Sequence, residues 1–298
     1  MTPSVTITYL HHSGFTAVIQ NTLLVFDYWE GEKGELSQAW RLNAEKLERY
    51  DRVYVFISHA HPDHMDPAVF TWKCSRPITY IVSYDAPIGT RGRRIAPGDT
   101  MELDSLIKVR AFGSTDLGVS FLVEAGGVRI FHAGDLNLWH WRQESTLKQI
   151  EAAEQAFEEA MAPLVGQQVD VGMFPVDPRQ GPMFDAGANH FILSVKPKLM
   201  IPMHFQGRGE VAVDFARRAR TKLTEVLALT KPGEAVEATF QEKEVTYTLI
   251  TPKASPAPAV QPLTTAMTED KPPEPKEINL KAFDGSDPFA DTDLPVEL

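Results

Sequence analysis

The sequence predicts a layered α/β domain, because it combines many short β-branched segments, two hairpin-type turns and two amphipathic helical segments. Ten apolar runs of four to six residues, bounded by Gly, Pro or Asn, are typical of strands. They lie at residues 5–10, 15–20, 23–26, 53–58, 78–83, 107–111, 119–124, 128–132, 169–174 and 199–203. Strands interspersed with helices favour layers of both elements over a pure β-sandwich.

Turns and helices indicate how these strands connect. Gln20-Asn21 and Ala125-Gly126-Gly127 are typical of hairpin turns, so each predicts an antiparallel pair. Two longer segments place apolar residues on one helical face: Leu147, Ile150, Phe157 and Met161 in the first, and Val211, Phe215, Leu223 and Leu227 in the second. Shorter helices are predicted at 43–50 and 67–72.

Composition and charge exclude several classes of protein. The 298 residues include 40 acidic and 29 basic side chains, and the net charge of −11 disfavours a general nucleic-acid binder. The single cysteine, Cys74, excludes an internal disulfide and a cysteine-based zinc cluster. No apolar run approaches the roughly 20 residues of a membrane span, and the N-terminus lacks a signal-peptide pattern. We therefore expect a cytoplasmic protein whose chemistry rests on histidines and carboxylates.

The composition of the chain changes near residue 250. Residues 251–298 hold 9 of the 22 prolines, and their 9 acidic residues against 4 lysines give this segment a net charge of −5. Such a segment buries too little apolar surface to offset the entropy of ordering. We predict one domain over 1–250 and a Pro-rich, acidic, disordered tail over 251–298. The tail is either a solvated extension or, at 283–289 (FDGSDPF), a short docking motif.

The most informative segment is the histidine motif HAHPDH, which begins at His59. Residues i and i+2 of an extended chain project to one side, so His59 and His61 can hold one ion together. Pro62 ends the strand geometry and turns Asp63 and His64 toward a neighbouring position. Three imidazoles and a carboxylate are ligands that zinc, manganese and iron accept. The motif therefore predicts a metal site.

Two later strands end on further candidate ligands. Residues 128–135 (VRIFHAGD) form a strand that ends in Gly134-Asp135, where the aspartate could bridge two cations. Residues 199–204 (LMIPMH) form a strand that delivers His204. Each group lies at the exit of an apolar strand, as a site at a sheet edge requires.

The combined pattern resembles the metallo-β-lactamase superfamily, over residues 5 to about 208: HxHxDH, then a glycine–aspartate and a histidine at strand ends. The resemblance implies a four-layer αββα sandwich and hydrolysis of lactams, thioesters, lactones or phosphodiesters. It implies one or two divalent ions, with zinc expected first and manganese or iron as alternatives. The implied ligands are His59, His61, Asp63, His64, Asp135 and His204. Flavodiiron oxidoreductases of the same fold resemble HxExD instead, so His61 argues for hydrolysis.

Within the superfamily, the chain is most similar to the branch that contains the phosphorylated-ascorbate lactonases. That branch typically shows a histidine–serine pair near the N-terminus, here His12-Ser13. It also shows an aspartate two residues after the last motif histidine, here Asp66, and a His-Ala-Gly-Asp, here residues 132–135. The resemblance therefore implies a lactonase-like enzyme.

One position departs from the superfamily pattern. Where a Gly-His-Thr turn usually supplies another histidine, residues 112–116 read FGSTD, so Ser114 takes the place of the histidine. A hydroxyl is a poor replacement for an imidazole. Asp116 and His132 are candidate substitutes, although His132 already belongs to a predicted strand. The site could then be mononuclear, asymmetric, or filled by manganese or iron instead of zinc.

The predicted function is that of a metal-dependent hydrolase acting on a small, anionic ester, lactone or phosphodiester. A divalent cation lowers the pKa of bound water from about 16 toward 7, which supplies hydroxide at neutral pH. Asp63 would be the catalytic residue, because it would hold the metal and orient the attacking water. Arg179 suits a carboxylate or phosphate, or it pairs with Asp177 to fix a Pro-rich loop. The weaker candidates for substrate contacts are His12, Asp27, Asp116, Asp177 and His190.

A second hypothesis, from another class, is a catalytically degenerate metal-binding or ligand-sensing module on the same fold, since a usual ligand is missing. The expected partner is a small molecule, with no membrane and with nucleic acid disfavoured, and a homo-oligomer is left open. The sequence does not identify the substrate, the native metal or the number of ions.

Overall fold

Two β-sheets face each other across the main hydrophobic core. The computed structural model describes residues 2–141, 144–242 and 244–251. Its strands are β1 (Ser4–His11), β2 (Gly14–Ile19), β3 (Thr22–Phe26), β4 (Arg52–Ile57), β5 (Ile78–Ser83), β6 (Arg93–Ile95), β7 (Thr100–Glu102), β8 (Ile107–Phe112), β9 (Ser120–Ala125), β10 (Val128–His132), β11 (Val171–Pro175), β12 (Leu199–Met203), β13 (Glu225–Val226), β14 (Ala235–Phe240) and β15 (Val245–Ile250). One sheet has the order β15-β14-β1-β2-β3-β4-β5-β6, and the other has the order β13-β12-β11-β10-β9-β8-β7.

Helices cover the outer faces of both sheets. They are α1 (Ala44–Leu47), α2 (Leu147–Met161), α3 (Ala186–Val195) and α4 (Gly209–Ala219), with 3-10 segments at Pro67–Thr71, Ala162–Leu164 and Pro178–Met183. On one side, Phe191 of α3 stacks on Phe131 and Phe174, with ring centroids 5.3 and 4.7 Å apart. On the other, Leu47 and Val69 pack into a separate apolar cluster against the first sheet. The four-layer αββα sandwich is confirmed.

The central strands of the first sheet are buried on both faces. β3, β4 and β5 run parallel, and their register pairs Phe26 with Phe56 and Val25 with Val55. Because side chains alternate along a strand, the phenylalanines point into the core between the sheets and the valines point into the outer cluster. Runs such as VYVFI are therefore apolar at every position.

The segments that carry candidate site residues leave the sheets at the same end. Asp27, the histidine motif, Gly134-Asp135 and His204 follow β3, β4, β10 and β12 respectively. Backbone hydrogen bonds join the two sheets here: Val119 N–H donates to the Ser58 carbonyl (2.9 Å), and His204 N–H donates to the His12 carbonyl (3.3 Å). The candidate ligands therefore stand on rigid strand ends from both sheets.

All ten predicted strands are present, and both predicted hairpins are antiparallel pairs, β2–β3 and β9–β10. The second amphipathic helix is shorter than predicted: it ends at Ala219, and Leu223 is exposed. The hydroxyl of Thr221 accepts the N–H groups of Leu223 and Thr224, at 3.2 and 3.0 Å, which competes with continued helix. The chain then forms β13 alongside β12.

Several elements have no counterpart in the prediction: β6, β7, β13, β14, β15 and α3. Most of α3 is apolar and buried, so the sequence offers no polar face to reveal a helix. β15 exposes most of its side chains, so it lacks the apolar run that marks the central strands.

The described residues contain no helix long and apolar enough to cross a membrane. β15 ends at Ile250. The tail predicted for residues 251–298 lies outside the described residues apart from Thr251, so the domain boundary stays a prediction.

Candidate metal centre

The histidine motif forms a tight turn at the end of β4. The N–H groups of His64 and Met65 both donate to the carbonyl of His61, at 3.0 and 2.9 Å. His59 and His61 lie together, with His59 Nε2 3.0 Å from His61 Nδ1. The turn brings His64 back beside His59, with ring centroids 4.1 Å apart. The predicted grouping of these histidines at the strand end is therefore present.

Three buried histidines are oriented in the same way, each through its Nδ1 atom. His59 Nδ1 lies 2.9 Å from the Ser58 hydroxyl, which itself donates to Asp27. His64 Nδ1 lies 2.7 Å from Asp27 Oδ2, and His204 Nδ1 lies 2.9 Å from Asp177 Oδ2. An acceptor at Nδ1 holds a proton there and directs Nε2 away from it, which is the arrangement found in metal-ligating histidines.

The three Nε2 atoms converge on the carboxylate of Asp135. His59 Nε2 lies 3.6 Å from Oδ2, while His64 and His204 Nε2 lie 3.1 and 3.4 Å from Oδ1. Both His64 Nε2 and Asp135 Oδ1 are buried and have no hydrogen-bond partner in the described part of the chain. Lone pairs and a carboxylate facing one another in a buried space need a cation or a proton between them. The donor set therefore fits a divalent metal.

The candidate ligands form two clusters of four donors, and within each cluster the donor atoms lie within 4.8 Å of one another. The sealed cluster consists of His12, Asp63, His64 and His204. The open cluster consists of His59, His61, Asp116 and Asp135. The names follow the exposure: three members of the sealed cluster are buried, whereas His61 and Asp116 expose about 40% of their side chains (42% and 41%).

The six predicted ligands all belong to one cluster or the other, and their role as ligands stays a prediction. Two residues that the sequence placed among the weaker substrate contacts join them. His12 lies in the sealed cluster, with Nε2 3.2 Å from Asp63 Oδ2. Asp116 lies in the open cluster, with Oδ2 3.5 Å from His61 Nδ1. Ser114 instead accepts the Asp116 N–H at 3.4 Å.

Asp177 and His190 lie away from the place expected of substrate contacts. Asp177 is fully buried behind His204 and holds Arg179 through Nε at 3.0 and 2.9 Å, so its position is that of an orienting group. His190 is exposed on α3 and stacks edge-on against Phe157, at a centroid distance of 5.3 Å. The Asp177–Arg179 pair, one of the two alternatives from the sequence, is present, and substrate contacts of Asp177 and His190 stay predictions.

A cleft of about 360 Å³ opens above both clusters. Its lining consists of His61, Asp63, Thr115, Asp116, Asp135, Trp139, Trp141, Arg179 and His204. Trp139 Nε1 donates to the Asp135 carbonyl at 2.9 Å, and its ring lies parallel to that of Trp141. The Arg179 guanidinium lies 5.8 Å from the centre of the Trp141 ring. Arg179 therefore both pairs with Asp177 and presents positive charge to the cleft.

Two glycines allow neighbouring loops to press against the motif. Gly118 has a φ of +71°, and a Cβ there would lie 2.0 Å from the Ser58 carbonyl oxygen and 2.6 Å from His59 Cβ. Gly134 has a φ of +55°, and a Cβ there would lie 2.7 Å from Ser58 Cβ. Only glycine fits both the conformation and the space. Gly134 thus allows the backbone just before Asp135 to approach the motif closely.

Burial and charge determine the protonation of the clustered groups. Burial, together with His204, lowers the pKa of His12 to about 4, and burial with His64 lowers that of His59 to about 4. Burial alone would raise the pKa of Asp135, but His64 and His204 hold it well below its usual range. The pKa of His64 shifts in the opposite direction: burial lowers it, but Asp135 and Asp27 raise it well above the usual value. His12 and His59 are thus neutral at pH 7, as ligands must be.

Sequence reasoning missed Ser58 and underrated Asp27. Asp27 accepts Ser58 N–H at 2.8 Å on one oxygen, and on the other the Ser58 hydroxyl at 2.6 Å. Asp27 ends the apolar run LLVFD, next to the strand that carries the motif. Since parallel strands end at the same sheet edge, that pairing was the available signal. Ser58 offers no signal of its own, because serine is common at strand ends.

His132 and Asp66, two of the branch-specific features, are structural in their contacts. His132 Nε2 donates to the Ser13 carbonyl at 2.8 Å, and its Nδ1 accepts the Gly134 N–H at 3.2 Å. Asp66 accepts the N–H groups of Ala68 and Glu30, at 2.8 and 3.0 Å. Both of these side chains stabilise loops around the clusters.

Comparison with known proteins agrees with this architecture. The chain is similar to a UPF0173 metal-dependent hydrolase of Thermococcus onnurineus, with 25% identity over 256 residues that cover 78% of this chain and 99% of that protein. A UPF0173 metal-dependent hydrolase of Symbiobacterium thermophilum is 29% identical over 205 residues, which cover 63% of this chain and 83% of that protein.

Solved structures show the same fold. Igni18, a metallo hydrolase from the archaeon Ignicoccus hospitalis, has a TM-score of 0.59 at 18% identity and covers 80% of this chain and all (100%) of its own. The metallo-beta-lactamase fold protein YhfI from Bacillus subtilis has a TM-score of 0.51 at 13% identity and covers the same shares, 80% and 100%. The family described as the beta-lactamase superfamily domain matches residues 6–204. This match extends over more than half of the chain and shows that the protein belongs to the beta-lactamase superfamily.

Proposed function

We propose that this metal-dependent hydrolase cleaves a small, anionic ester, lactone or phosphodiester by means of a metal-activated water. One observation carries the proposal: the Nε2 atoms of three buried histidines converge on Asp135, at the floor of a cleft that also presents Arg179. A metal-dependent hydrolase needs fixed metal ligands at the floor of its cleft and a group beside the cleft that binds the substrate. The metal is zinc, manganese or iron, since imidazole and carboxylate donors suit all three.

The proposed ligands are the six predicted ones, His59, His61, Asp63, His64, Asp135 and His204. When bound, a divalent cation supplies hydroxide at neutral pH and polarises the acceptor oxygen. Ser58, Asp27 and Asp177 support the ligands from behind by holding the Nδ1 protons. This support keeps the imidazoles in a fixed orientation and tautomer.

Asp63 is the proposed catalytic residue among the chain's own groups. It lines the cleft and keeps about a third of its side chain exposed (37%), with Oδ2 3.2 Å from His12 Nε2. His12 and His64 hold the pKa of Asp63 below its usual range, although burial raises it, so the carboxylate is ionised at pH 7. An ionised acceptor at the cleft floor can orient a water molecule through a hydrogen bond.

The anionic character of the substrate follows from Arg179. Asp177 fixes this guanidinium, so it is already oriented before a substrate arrives. Trp141 and Trp139 form an apolar wall beside it. A carboxylate or phosphate on the substrate would meet the guanidinium while an apolar part packs on the indoles.

The proposal includes a lactonase-like activity, but the residues that suggest it have different contacts in the structure. Asp66 and His132 are occupied with the backbone of neighbouring loops. His12 alone faces the clusters. These contacts support a scaffold shared with the lactonase-like branch more strongly than a shared substrate. A phosphorylated lactone is one of the substrates to test.

Activity measurements test the proposed function directly. The full chain is stripped with a chelator, reloaded with Zn²⁺ or Mn²⁺, and assayed on paired neutral and anionic lactones, thioesters and phosphodiesters. We expect turnover of at least one anionic substrate with one of these metals. If no compound in any class is hydrolysed with any metal, the proposal is wrong.

The role of Arg179 is tested by Arg179→Gln. Losing a hydrogen-bonded charge contact costs about 1.5–3 kcal/mol, so we expect KM for the anionic substrate to rise about 10- to 100-fold. The matched control is Arg208→Gln, because Arg208 also pairs with a carboxylate two residues away, Glu210 at 3.1 Å, but on an exposed surface. An equal KM change in both variants, or for neutral substrates, would contradict the assignment.

A second candidate function is a metal-binding or ligand-sensing module without turnover. The observation in its favour is the open cluster, where Ser114 stands in the place of a histidine and forms a hydrogen bond with its own loop. One tightly bound ion per chain, together with no hydrolysis in the panel above, would favour this candidate.

A further inference from the structure

We propose that Asp116 supplies the ligand that the missing histidine leaves out, so that the open cluster holds its cation with two imidazoles and two carboxylates. The proposal rests on the metal centre proposed above and specifies its composition. Such a set shifts the preference of the site from Zn²⁺ toward Mn²⁺, relative to a site with three imidazoles. Ser114 shapes the turn and is not a ligand.

The position of Asp116 is the first support. Its Oδ2 atom lies 3.5 Å from His61 Nδ1, and one donor atom from each of His59, His61, Asp116 and Asp135 lies within 4.8 Å of the others. Asp135 is only 6% exposed, and its Oδ2 atom lies 3.6 Å from His59 Nε2, on the side of the open cluster. A buried carboxylate beside these donors favours a positive ion there.

The loop that carries Asp116 is fixed on both sides. On one side, the Thr115 hydroxyl donates to the Asn137 carbonyl (2.5 Å) and accepts the Asn137 N–H (2.9 Å), which ties the loop to the segment just after Asp135. On the other side, Gly118 lies against the Ser58 carbonyl, at the start of the motif. The carboxylate of Asp116 therefore keeps a defined place relative to both neighbours.

Ser114 is engaged elsewhere. Its hydroxyl accepts the backbone N–H of Asp116 at 3.4 Å, and it belongs to neither donor cluster. This contact closes a small turn, and the Asp116 carboxylate at the end of the turn lies beside His61. The loss of the histidine and the presence of Asp116 two residues later are thus parts of one loop conformation.

The chemistry of the donors gives the expected selectivity. Imidazole suits zinc, whereas carboxylate oxygens suit manganese. Raw affinity still rises from Mn²⁺ to Zn²⁺ in any one site. The testable quantity is therefore the ratio of the two affinities and its change when the carboxylate becomes an imidazole.

The experiment measures binding of Mn²⁺ and Zn²⁺ alone to the full, chelator-treated chain by calorimetry, with metal content and the electron paramagnetic resonance of bound Mn²⁺ as independent readouts. The variants are Asp116→Ala, Asp116→Asn and Asp116→His. Leu117→Ala is the matched control, since Leu117 is exposed in the same loop and offers no donor.

We expect Asp116→Ala to weaken Mn²⁺ binding to one site by about a hundredfold, comparable to or more than the loss of an outer-shell partner. Asp116→His should raise the ratio of Zn²⁺ to Mn²⁺ affinity by about tenfold or more, and Leu117→Ala should match the unmodified chain. Wild-type Mn²⁺ affinity and stoichiometry in Asp116→Ala would overturn the proposal. If that variant does not fold, Asp116→Asn and Asp116→His decide in the same way.

Binding without substrate also separates this inference from the proposed function. Loss of the ion in Asp116→Ala with no hydrolysis by the unmodified chain would leave the ligand assignment standing and remove the function. Hydrolysis by the unmodified chain, together with unchanged metal binding in Asp116→Ala, would support the proposed function and overturn the ligand assignment.

Discussion

The sealed and open clusters stand side by side and differ in how they are held. His64 and His204 of the sealed cluster are buried, and each has a carboxylate, Asp27 or Asp177, behind its Nδ1 atom. In the open cluster only His59 has such support, through Ser58, while His61 and Asp116 face solvent. Two sites made from similar residues thus differ in rigidity and in access.

This difference indicates a division of tasks. Buried imidazoles whose second nitrogen is already held lose little entropy on binding an ion, so they favour tight occupancy. Ligands at the cleft surface can share their ion with water and substrate. We therefore expect the sealed cluster to bind its ion more tightly and the open cluster to exchange its ion more readily.

The largest effect is expected for Asp135, which faces both clusters. Asp135→Asn removes the charge on which three imidazoles converge. We expect both ions to be lost and turnover to fall by about a thousandfold or more, since several kcal/mol of transition-state stabilisation disappear. Metal analysis together with steady-state kinetics measures this. Retention of either ion at wild-type affinity would contradict a shared role for Asp135.

A smaller effect distinguishes the two carboxylates behind the histidines. Asp27 supports His64 directly and His59 through Ser58, so Asp27→Asn should weaken both clusters. Asp177→Asn should weaken only the cluster that contains His204. Each loss should be about 10- to 100-fold in metal affinity. Competitive titration with a chromophoric chelator measures the metal affinities of both variants. If both variants lose affinity at the same clusters, Asp27 and Asp177 do not have different roles.

The smallest effect on activity is expected at Asp170, which precedes β11 and so lies at the opposite end of that strand from Asp177. It is as buried as Asp27 and Asp177 and pairs with Arg129 and Lys198, both at 3.0 Å. Asp170→Asn should leave metal affinity unchanged and lower the free energy of unfolding by about 2–3 kcal/mol at pH 7. A change in metal binding would show that site variants act through general destabilisation.

The same pair predicts a pH dependence of stability. Burial alone would raise the pKa of Asp170, but the hydrogen bonds from Arg129 and Lys198 hold it below the usual value. A carboxyl with a lowered folded-state pKa stabilises fully above its unfolded pKa of about 3.9 and loses that contribution as pH falls further. The stability difference between the unmodified chain and Asp170→Asn should therefore shrink below about pH 4, as measured by urea unfolding across pH.

The sequence predicted the central strands and the grouping of the ligands because both follow local rules. Runs such as VYVFI are apolar at every position only in a strand buried on both faces, and a motif directly after such a strand must lie at a sheet edge. β15 was not predicted, because it lies at the edge of the sheet and is largely exposed. β14 was not predicted, because Glu237 and Thr239 interrupt its apolar residues.

Side-chain partners across the site were harder to predict. Asp177 and Arg179 were both candidates for substrate contacts. Their roles differ because Asp177 contacts His204, whereas Arg179 lines the cleft. His12 lies far from the motif in sequence, and its place beside Asp63 depends on the β1–β2 turn meeting the motif turn. Such pairs follow from tertiary contacts, for which a single sequence holds no pattern.

The position of Asp135 has a consequence for how the centre fills with metal. One carboxylate faces donors of both clusters, with Oδ1 toward His64 and His204 and Oδ2 toward His59. An ion bound at one oxygen of Asp135 would polarise the whole carboxylate and fix the orientation in which the second oxygen meets the other ion. We therefore expect the occupancies of the two clusters to be coupled, in which case thermodynamic linkage makes each ion change the affinity for the other by the same factor. Metal titrations should be analysed as one cooperative system.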